Sequence, residues 1–550
     1  MSITVLRIFG LGLSALTLAL TLGSCGKVAD GNLALLDSNT NWLMHCTDDI
    51  QCNGSLRCYC GICTKPCGQD SECGLLSGAE CAESGESLCG AQASAGGLCV
   101  RACKQSSECG DGFNCTAGEC VPKPCVTLQA RDWDEVFKSI RTDLASSAPE
   151  DTAHFRYFAI GNSSADSDSA RGCGVEPEVQ RKALTKLVNS LSSSPRITEP
   201  TAISPDGRLL RIDLRDYGWD RQAQVGGAHP DVWEALVAND LYSVSFSGSD
   251  ADEVTAETGT LEPLLLVDSF VATATRPDVY YGVLGTPEYP LPSLSDELGI
   301  SLFGQASVEA IFLDPSLMLA QYWPIATRAG YLWSIADFGR ETGALFFDSQ
   351  LLPAGEREIV YSLPNGLYAF AFVGTGRQRI DGWQVTADRE ERDGLARVPR
   401  SNWRRHPHAV NVRDDSQAYL AANSNQLDAT KLSTFRGRFS GNETLQLVIQ
   451  RDYQTILEPS LISLGIDSDE PDPILASFAE FDRDVTLEVA AEELLVTPQT
   501  LRRNLGLLDP RLAALDGGSV SRSLFTVLYR QSVCLLSTAL ENQPDPGSCP

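Results

Sequence analysis

The stretch Glu358-Ile-Val-Tyr-Ser-Leu363-Pro-Asn-Gly366-Leu367-Tyr-Ala-Phe-Ala-Phe-Val373 decides the class of the larger part of this chain. Two runs rich in β-branched and aromatic residues flank Pro364-Asn365-Gly366, and Asn-Gly tolerates the positive backbone angles that a tight hairpin turn demands. The reading is two antiparallel strands, over 358–363 and 367–373. Upstream, Leu210, Ile212 and Leu214 alternate with charged neighbours, as in a half-buried strand ending near Asp216-Tyr217-Gly218-Trp219. Helices are expected over 132–147, where Trp133, Val136, Phe137, Ile140 and Leu144 recur at helical intervals, and over 177–192, where Val179, Leu184, Leu187, Val188 and Leu191 form one stripe. Beyond Asp414 the pattern is mostly helical, most clearly over 486–495 and 498–508. The expected fold is α+β: a small disulfide-rich repeat module over 46–125, then a large mixed domain over 126–550 that is helical towards the C-terminus.

Composition narrows the function. The chain has 550 residues, 72 acidic against 43 basic side chains and a formal charge of −29. A surface so acidic repels phosphates, so no nucleic-acid partner is expected. A hydrophobic content of 43% is ordinary for a folded protein, which places the acidity on a solvated surface.

Residues 1–24 have the anatomy of an export signal: Arg7 supplies the positive start, and an apolar run follows that is short for a membrane span. The run ends in Leu22-Gly23-Ser24-Cys25. This string resembles a bacterial lipobox, which implies that Cys25 is the lipidated N-terminus of the mature protein and that the membrane is a partner through this anchor. Gly26 stands where Asp would signal inner-membrane retention, so the outer membrane is the expected site. Residues 25–45 then form a tether, roughly 25 Å end to end if flexible.

From Cys46 to Cys125 there are 15 cysteines, a density found where sulfur replaces an apolar core. Cys46, Cys52, Cys58 and Cys63 have the spacing Cys-x5-Cys-x5-Cys-x4-Cys, and Cys103, Cys109, Cys115 and Cys120 repeat it. A middle copy runs Cys67, Cys73, Cys81 and, across a Gly/Ser/Ala-rich insertion, Cys99. Cys60 and Cys89 remain as a cross-link between copies. Connectivity within a copy stays open, because four cysteines allow three pairings. Cys125 with Cys173 would staple the start of the large domain, and Cys534 with Cys549 would close a C-terminal loop, worth about 3 kcal/mol. Cys60-Gly-Ile-Cys63 has zinc-ligand spacing, but thiols in an oxidising compartment pair with each other. The phrase Cys-x-x-(Asp/Ser)-x-(Gln/Glu)-Cys resembles the repeats of dickkopf N-terminal and EGF-like modules, which implies a spacer or a protein-recognition surface.

Arg156-Tyr-Phe158, Asn189-Ser-Leu191, Pro195-Arg-Ile197, Leu210-Arg-Ile-Asp-Leu-Arg-Asp-Tyr217, Arg276-Pro277, Leu363-Pro-Asn-Gly-Leu367 and Arg379-Ile-Asp381 follow in an order that resembles a family of large extracytoplasmic bacterial proteins described as cytochrome-c-like. The resemblance covers most of 126–530 and implies a Cys-x-x-Cys-His haem attachment shortly after Asp381. Asn402-Trp-Arg-Arg405-His406 stands there instead, and only the histidine remains. Covalent haem is therefore not expected, and no cofactor is assigned. His406 and His408 are expected to be surface residues beside Arg400, Arg404 and Arg405, and Met318 is the one methionine of the large domain that could serve as an axial ligand.

Catalytic signatures are lacking: there is no Gly-x-Ser-x-Gly elbow, no His-Glu-x-x-His and no phosphate loop. Gly374-Thr-Gly376 is expected to make a turn. The acidic runs at Asp166-Ser-Asp168, 250–253 and 467–472 are expected to be solvated loops, since none completes a calcium loop. The role expected is non-catalytic binding or scaffolding, with a protein or polysaccharide partner. A haem-dependent electron carrier and a hydrolase of envelope polymers, with two carboxyl groups across a cleft, are the rival readings.

Overall fold

In a computed structural model of the chain the described residues are 56–59, 62–67, 69–73, 79–82, 97–101, 113–116, 119–122, 133–160 and 177–539, the last with breaks at 225–227, 230, 241, 243–247, 299, 301–305, 313–317, 326–329, 338–355, 385–394, 408, 424–427, 440, 468–469 and 495. The chain divides into two compact units, Met1–Lys123 with Ala170–Gly172, and Pro124–Ser169 with Cys173–Pro550. Cys25, Cys46, Cys52, Cys60, Cys89, Cys103, Cys109, Cys125, Cys173 and Cys549 lie outside the described residues.

In the first unit, short antiparallel pairs carry the repeat. Strand β1 (Arg57–Tyr59) pairs with β2 (Ile62–Thr64) and sets Cys58 opposite Cys63. Strand β3 (Pro66–Cys67) joins the edge of the next pair, β4 (Ala79–Ala82) with β5 (Gly97–Arg101), in which Cys81 faces Cys99. Strands β6 (Phe113–Thr116) and β7 (Glu119–Pro122) set Cys115 opposite Cys120. The third and fourth cysteines of all three copies are thus cross-strand neighbours. In the middle copy they bond elsewhere: Cys67 to Cys81 and Cys73 to Cys99, so the first cysteine joins the third and the second joins the fourth. Cys67, Cys73 and Cys99 are buried and take the place of an apolar core. The shared register predicts the same pattern in the outer copies, Cys46–Cys58 with Cys52–Cys63 and Cys103–Cys115 with Cys109–Cys120. Peptide mapping without reductant is expected to recover these pairs; a Cys58–Cys63 or Cys115–Cys120 bridge would contradict them.

The second unit is α+β. Helix α1 (Trp133–Ala145) has Asp134 and Glu135 in its first turn, where the helix dipole favours acids, and buries Phe137, Ile140 and Leu144. It packs with helix 249–258 on a four-stranded sheet whose strands lie in the order 264–266, 155–159, 209–213 and 201–202. Here β8 (Phe155–Ala159) and β10 (Leu209–Asp213) are antiparallel, β9 (Thr201–Ala202) forms an edge, and β11 (Leu264–Leu266) runs parallel to β8. Leu214 departs from the expected strand. Asp213 accepts the Arg215 N–H and caps a short helix that contains Leu214.

The second sheet is a six-stranded antiparallel meander: β12 (Val308–Phe312), β13 (Met318–Ile325), β14 (Gly330–Asp337), β15 (Arg357–Ser362), β16 (Tyr368–Val373) and β17 (Arg379–Ile380). The expected hairpin is β15–β16, with Gly366 at φ +86°. Gly374-Thr-Gly376 makes the expected turn into β17, with the Gly374 N–H donating to the Gln378 carbonyl. Both faces of β15 and β16 are buried. One face aligns Glu358, Val360 and Ser362 with Phe372, Phe370 and Tyr368, and Trp333 lies beside Val360 on β14.

Helix α2 (Pro177–Ser190) ends two residues before the expected limit. Helices α3 (Val267–Ala274) and α4 (Pro277–Leu284) follow; on α4 the Tyr280 and Tyr281 hydroxyls accept the Phe370 and Phe372 N–H groups, and Tyr281 donates to the Ile380 carbonyl. Helix α5 (Arg400–Arg405) follows, and then α6 (Asn442–Asp452), a π-helical turn at Tyr453–Leu457, α7 (Glu458–Ser463) and α8 (Pro473–Phe481). The helix expected over 486–495 starts only at Leu487 as α9 (Leu487–Glu493), because Val485–Thr486 pairs with Ser519–Val520. The one expected over 498–508 ends as α10 (Pro498–Asn504), with a tighter turn at Leu505–Leu507. Helix α11 (Arg522–Ala539) completes a separate C-terminal core with α9 and α10. Cys534 on α11 is disulfide-bonded. Among the described residues no helix is long and apolar enough to cross a membrane.

Two acidic runs depart from the expected solvated loops. Residues 250–253 lie in helix 249–258, with Glu253 2.7 Å from Arg141 and Asp250 also paired to it. Asp472 is 4% exposed, caps α8 and pairs with Lys186 of α2, so helix packing claims it. Asp166 and Asp168 lie outside the described residues.

Candidate functional site

The residues at 402–406 are drawn inward, and this corrects the expectation of surface histidines for His406. Helix α5 is short because Pro407 follows His406, and the residue before a proline is pushed out of helical geometry; His406 sits at φ −128°, ψ 56°. Trp403 anchors the helix edge-on between Tyr280 and Phe370, with ring centres 6.2 and 6.1 Å away. That turns Asn402, Arg405 and His406 towards Glu358 on β15, a carboxylate on a sheet face that also carries Val360, Ser362, Tyr368, Phe370 and Phe372. Asn402 is 0% and His406 3% exposed. His408 lies outside the described residues.

Glu358 makes three contacts. Asn402 Nδ2 donates to Oε1, Arg405 Nη1 lies 3.0 Å from Oε2, and His406 Nε2 stands 3.3 Å from Oε1. His406 Nδ1 accepts the Asn411 N–H at 2.9 Å, so in the neutral ring the proton sits on Nε2, facing the carboxylate. Burial alone would raise the Glu358 carboxyl, but Arg405, His406 and Asn402 together overcome it and hold the group down at about 2. Arg405 also lies over the Phe372 ring, 5.6 Å from its centre.

The arrangement does not fit covalent haem. Asn402 and Arg405 offer no thiol, and both ring nitrogens of His406 face protein groups. Met318 is buried at the start of β13 as part of the apolar core. In the first unit the sulfurs of Cys67, Cys73 and Cys81 lie within 4.8 Å of one another, but each belongs to a disulfide and has no thiolate to give a metal.

Beyond Arg405 the chain and α6 border an open pocket of about 420 Å³. Val410, Val412 and Ile449 are among its apolar walls, and Arg405, Arg413 and Gln446 are its long polar side chains. Gln446 Nε2 donates to the Val412 carbonyl at 3.2 Å and ties the two sides together. The Asn402-to-His406 segment was visible in the sequence. Its acidic partner Glu358 and the pocket were not, since they depend on pairing across more than 40 residues; the one available signal was a Glu inside a strand that the hairpin register sets opposite Phe372.

No protein-family model matches the chain, and neither a curated protein nor a solved structure is similar to it.

Proposed function

We propose that this chain is a lipid-anchored protein of the bacterial cell envelope, held at the outer membrane through Cys25, with a non-catalytic binding or scaffolding role towards a protein or polysaccharide. The observation that carries the reading is the use of residues 402–406. At the place where the cytochrome-c-like resemblance implies haem attachment, Asn402, Arg405 and His406 are committed to Glu358, and Arg405 goes on to line a pocket. An electron-carrying ancestor that lost its prosthetic group would leave such a position free for structural and binding use. The cysteine module fits a stand-off between the lipid and the large domain, since its core is sulfur.

Mass spectrometry of the protein extracted from membranes without reductant tests the proposal. Diacylated or triacylated Cys25 as the first residue, with no adduct of haem mass and no Soret absorption, is the expected result. Cys25 still joined to Ser24 would remove the anchor. A red preparation with a Soret band would replace the binding role by electron transfer.

A further inference from the structure

We infer that the C-terminal helical core is fastened to the rest of the large unit by a proton-sensitive catch, in which Tyr242 is the tongue and the Asp240 carboxyl decides how firmly it sits.

The packing shows the catch. Helices α9, α10 and α11 close on a core of their own, and the strand Val485–Thr486 pairs within the same stretch, with Ser519–Val520. Among the described residues Tyr242 is the only side chain from before Phe481 that enters this core. Its ring lies edge-on to Phe481, 5.5 Å between centres, and against Tyr529 of α11 at 4.5 Å. Its hydroxyl meets Thr526 Oγ1 at 2.7 Å and accepts from Arg522 Nη1 at 3.3 Å, and Arg522 is paired with Glu493 of α9 at 2.7 Å. The tongue is thus gripped along its ring and at its tip.

Its root is Asp240, which ends helix Val232–Asn239 and is 1% exposed. Oδ1 accepts the Tyr242 N–H at 2.8 Å and fixes the backbone from which the ring projects. Ser269 Oγ of α3 donates to Oδ2 at 3.1 Å, and Thr273 Oγ1 lies 3.4 Å from Oδ1. Arg276 and the exposed Arg530 of α11 come close, but they donate to the main-chain carbonyls of Asn239 and Asp240. Glu262 opposes a negative charge on Asp240, and Asp268 of α3 acts in the same sense on Glu493 and Tyr529. Burial with these neighbours pushes the Asp240 carboxyl up to about 6.

The site accommodates both protonation states. Ser269 Oγ also lies 3.2 Å from the Leu266 carbonyl, so beside a protonated Asp240 its hydroxyl turns to Leu266 and accepts from the acid. No charge is then buried. The ionised form leaves a buried charge held by neutral donors alone. Withdrawing Tyr242 and α11 admits water to Asp240 and relieves that cost. A raised carboxyl stabilises the closed state fully below its ordinary value, about 4, and loses that contribution as pH rises through its folded value, about 6.

Amide hydrogen exchange on the full chain in detergent, from about pH 5 to 8 and expressed as protection factors, tests the catch. Protection in α11 is expected to fall at least about tenfold over this range while β15 and β16 keep theirs. Asp240→Asn cannot ionise, and its amide accepts the Tyr242 N–H and donates to Ser269. It is expected to remove about tenfold of the fall and to protect α11 better than wild type at neutral pH. The remainder belongs to Glu493, which burial pushes up to about 7 against the pull of Arg522. Tyr242→Ala is expected to leave α11 poorly protected at every pH, with β15 and β16 reporting that the large unit is folded. A level wild-type profile, the same profile in Asp240→Asn, a fall shared equally by β15 and β16, or full protection of α11 in Tyr242→Ala overturns the inference.

Discussion

Glu358→Leu is expected to lower the stability of the large unit by about 3–5 kcal/mol, because it sets hydrocarbon against the buried Asn402 amide and His406 ring and takes the carboxylate from the half-buried Arg405 guanidinium. The carboxylate is 1% exposed and answers three polar side chains at once, so its loss exceeds that of an ordinary surface pair. Glu358→Gln keeps the shape and removes only the charge, and is expected to fall between wild type and Glu358→Leu in urea unfolding followed by tryptophan fluorescence. The pH dependence separates charge from shape. The folded carboxyl titrates at about 2 and the ordinary value is 4.5. A depressed carboxyl stabilises the fold fully above its unfolded value and loses that contribution as pH falls through its folded value. The gap between wild type and Glu358→Gln is therefore expected to stay level above about pH 5 and to close between about 4.5 and 2. Asp240 runs the other way. Burial pushes its carboxyl up to about 6 despite hydrogen bonds from Tyr242 N–H, Ser269 and Thr273, so its contribution is full below about 4 and is lost as pH rises through about 6. A gap that failed to close in acid would mean that Glu358 acts through shape alone.

What the sequence made legible follows from locality. The hairpin at 358–373, the strand at 209–213, helices α1 and α2 and the cysteine repeat are each set by neighbours within a few residues: a turn dipeptide, an alternation, a 3.6-residue stripe, a fixed spacing. The failures, the short-range cap at Asp213 apart, are non-local. Leu214 left its strand because Asp213 found a capping role, Thr486 left its helix because Ser519 lay within pairing distance, and Asp472 left the solvent because Lys186 came to it. His406 is the informative case. A histidine among arginines in a polar segment reads as exposed, and it is buried because a glutamate 48 positions earlier needed partners on the sheet face. The disulfide pattern of the middle repeat belongs to the same class: the spacing defined the copies, but only the cross-strand register and the bonds themselves separate one of three pairings from the others.

The same reasoning makes the hairpin tip the second sensitive point. Most Asn-Gly turns lie in solvent, but Asn365 here is 6% exposed. Its Nδ2 donates to the Asn189 carbonyl at the end of α2, and its own carbonyl accepts from Ser460 Oγ on α7 at 2.7 Å. The turn thereby joins the meander to α2 and to the helical stretch that contains the π turn, a local distortion often retained where something must fit against a helix. Gly366 is where it fits. Its φ is +86°, and a Cβ there would stand 2.6 Å from the Ile456 carbonyl oxygen, within the π turn, and 2.5 Å from Ser460 Oγ. The serine could rotate away, but the backbone carbonyl cannot move without disturbing the turn. Gly366→Ala is therefore expected to destabilise by about 3 kcal/mol or more, the sum of left-handed strain and a backbone clash. Gly207→Ala is the matched control. That glycine also has a positive φ, +68°, but nothing lies within 4 Å of its would-be Cβ, so strain alone remains, about 1–2 kcal/mol. Equal losses in the two variants would show that the π turn yields to the added methyl and that the docked hairpin tip adds nothing beyond its own backbone angle.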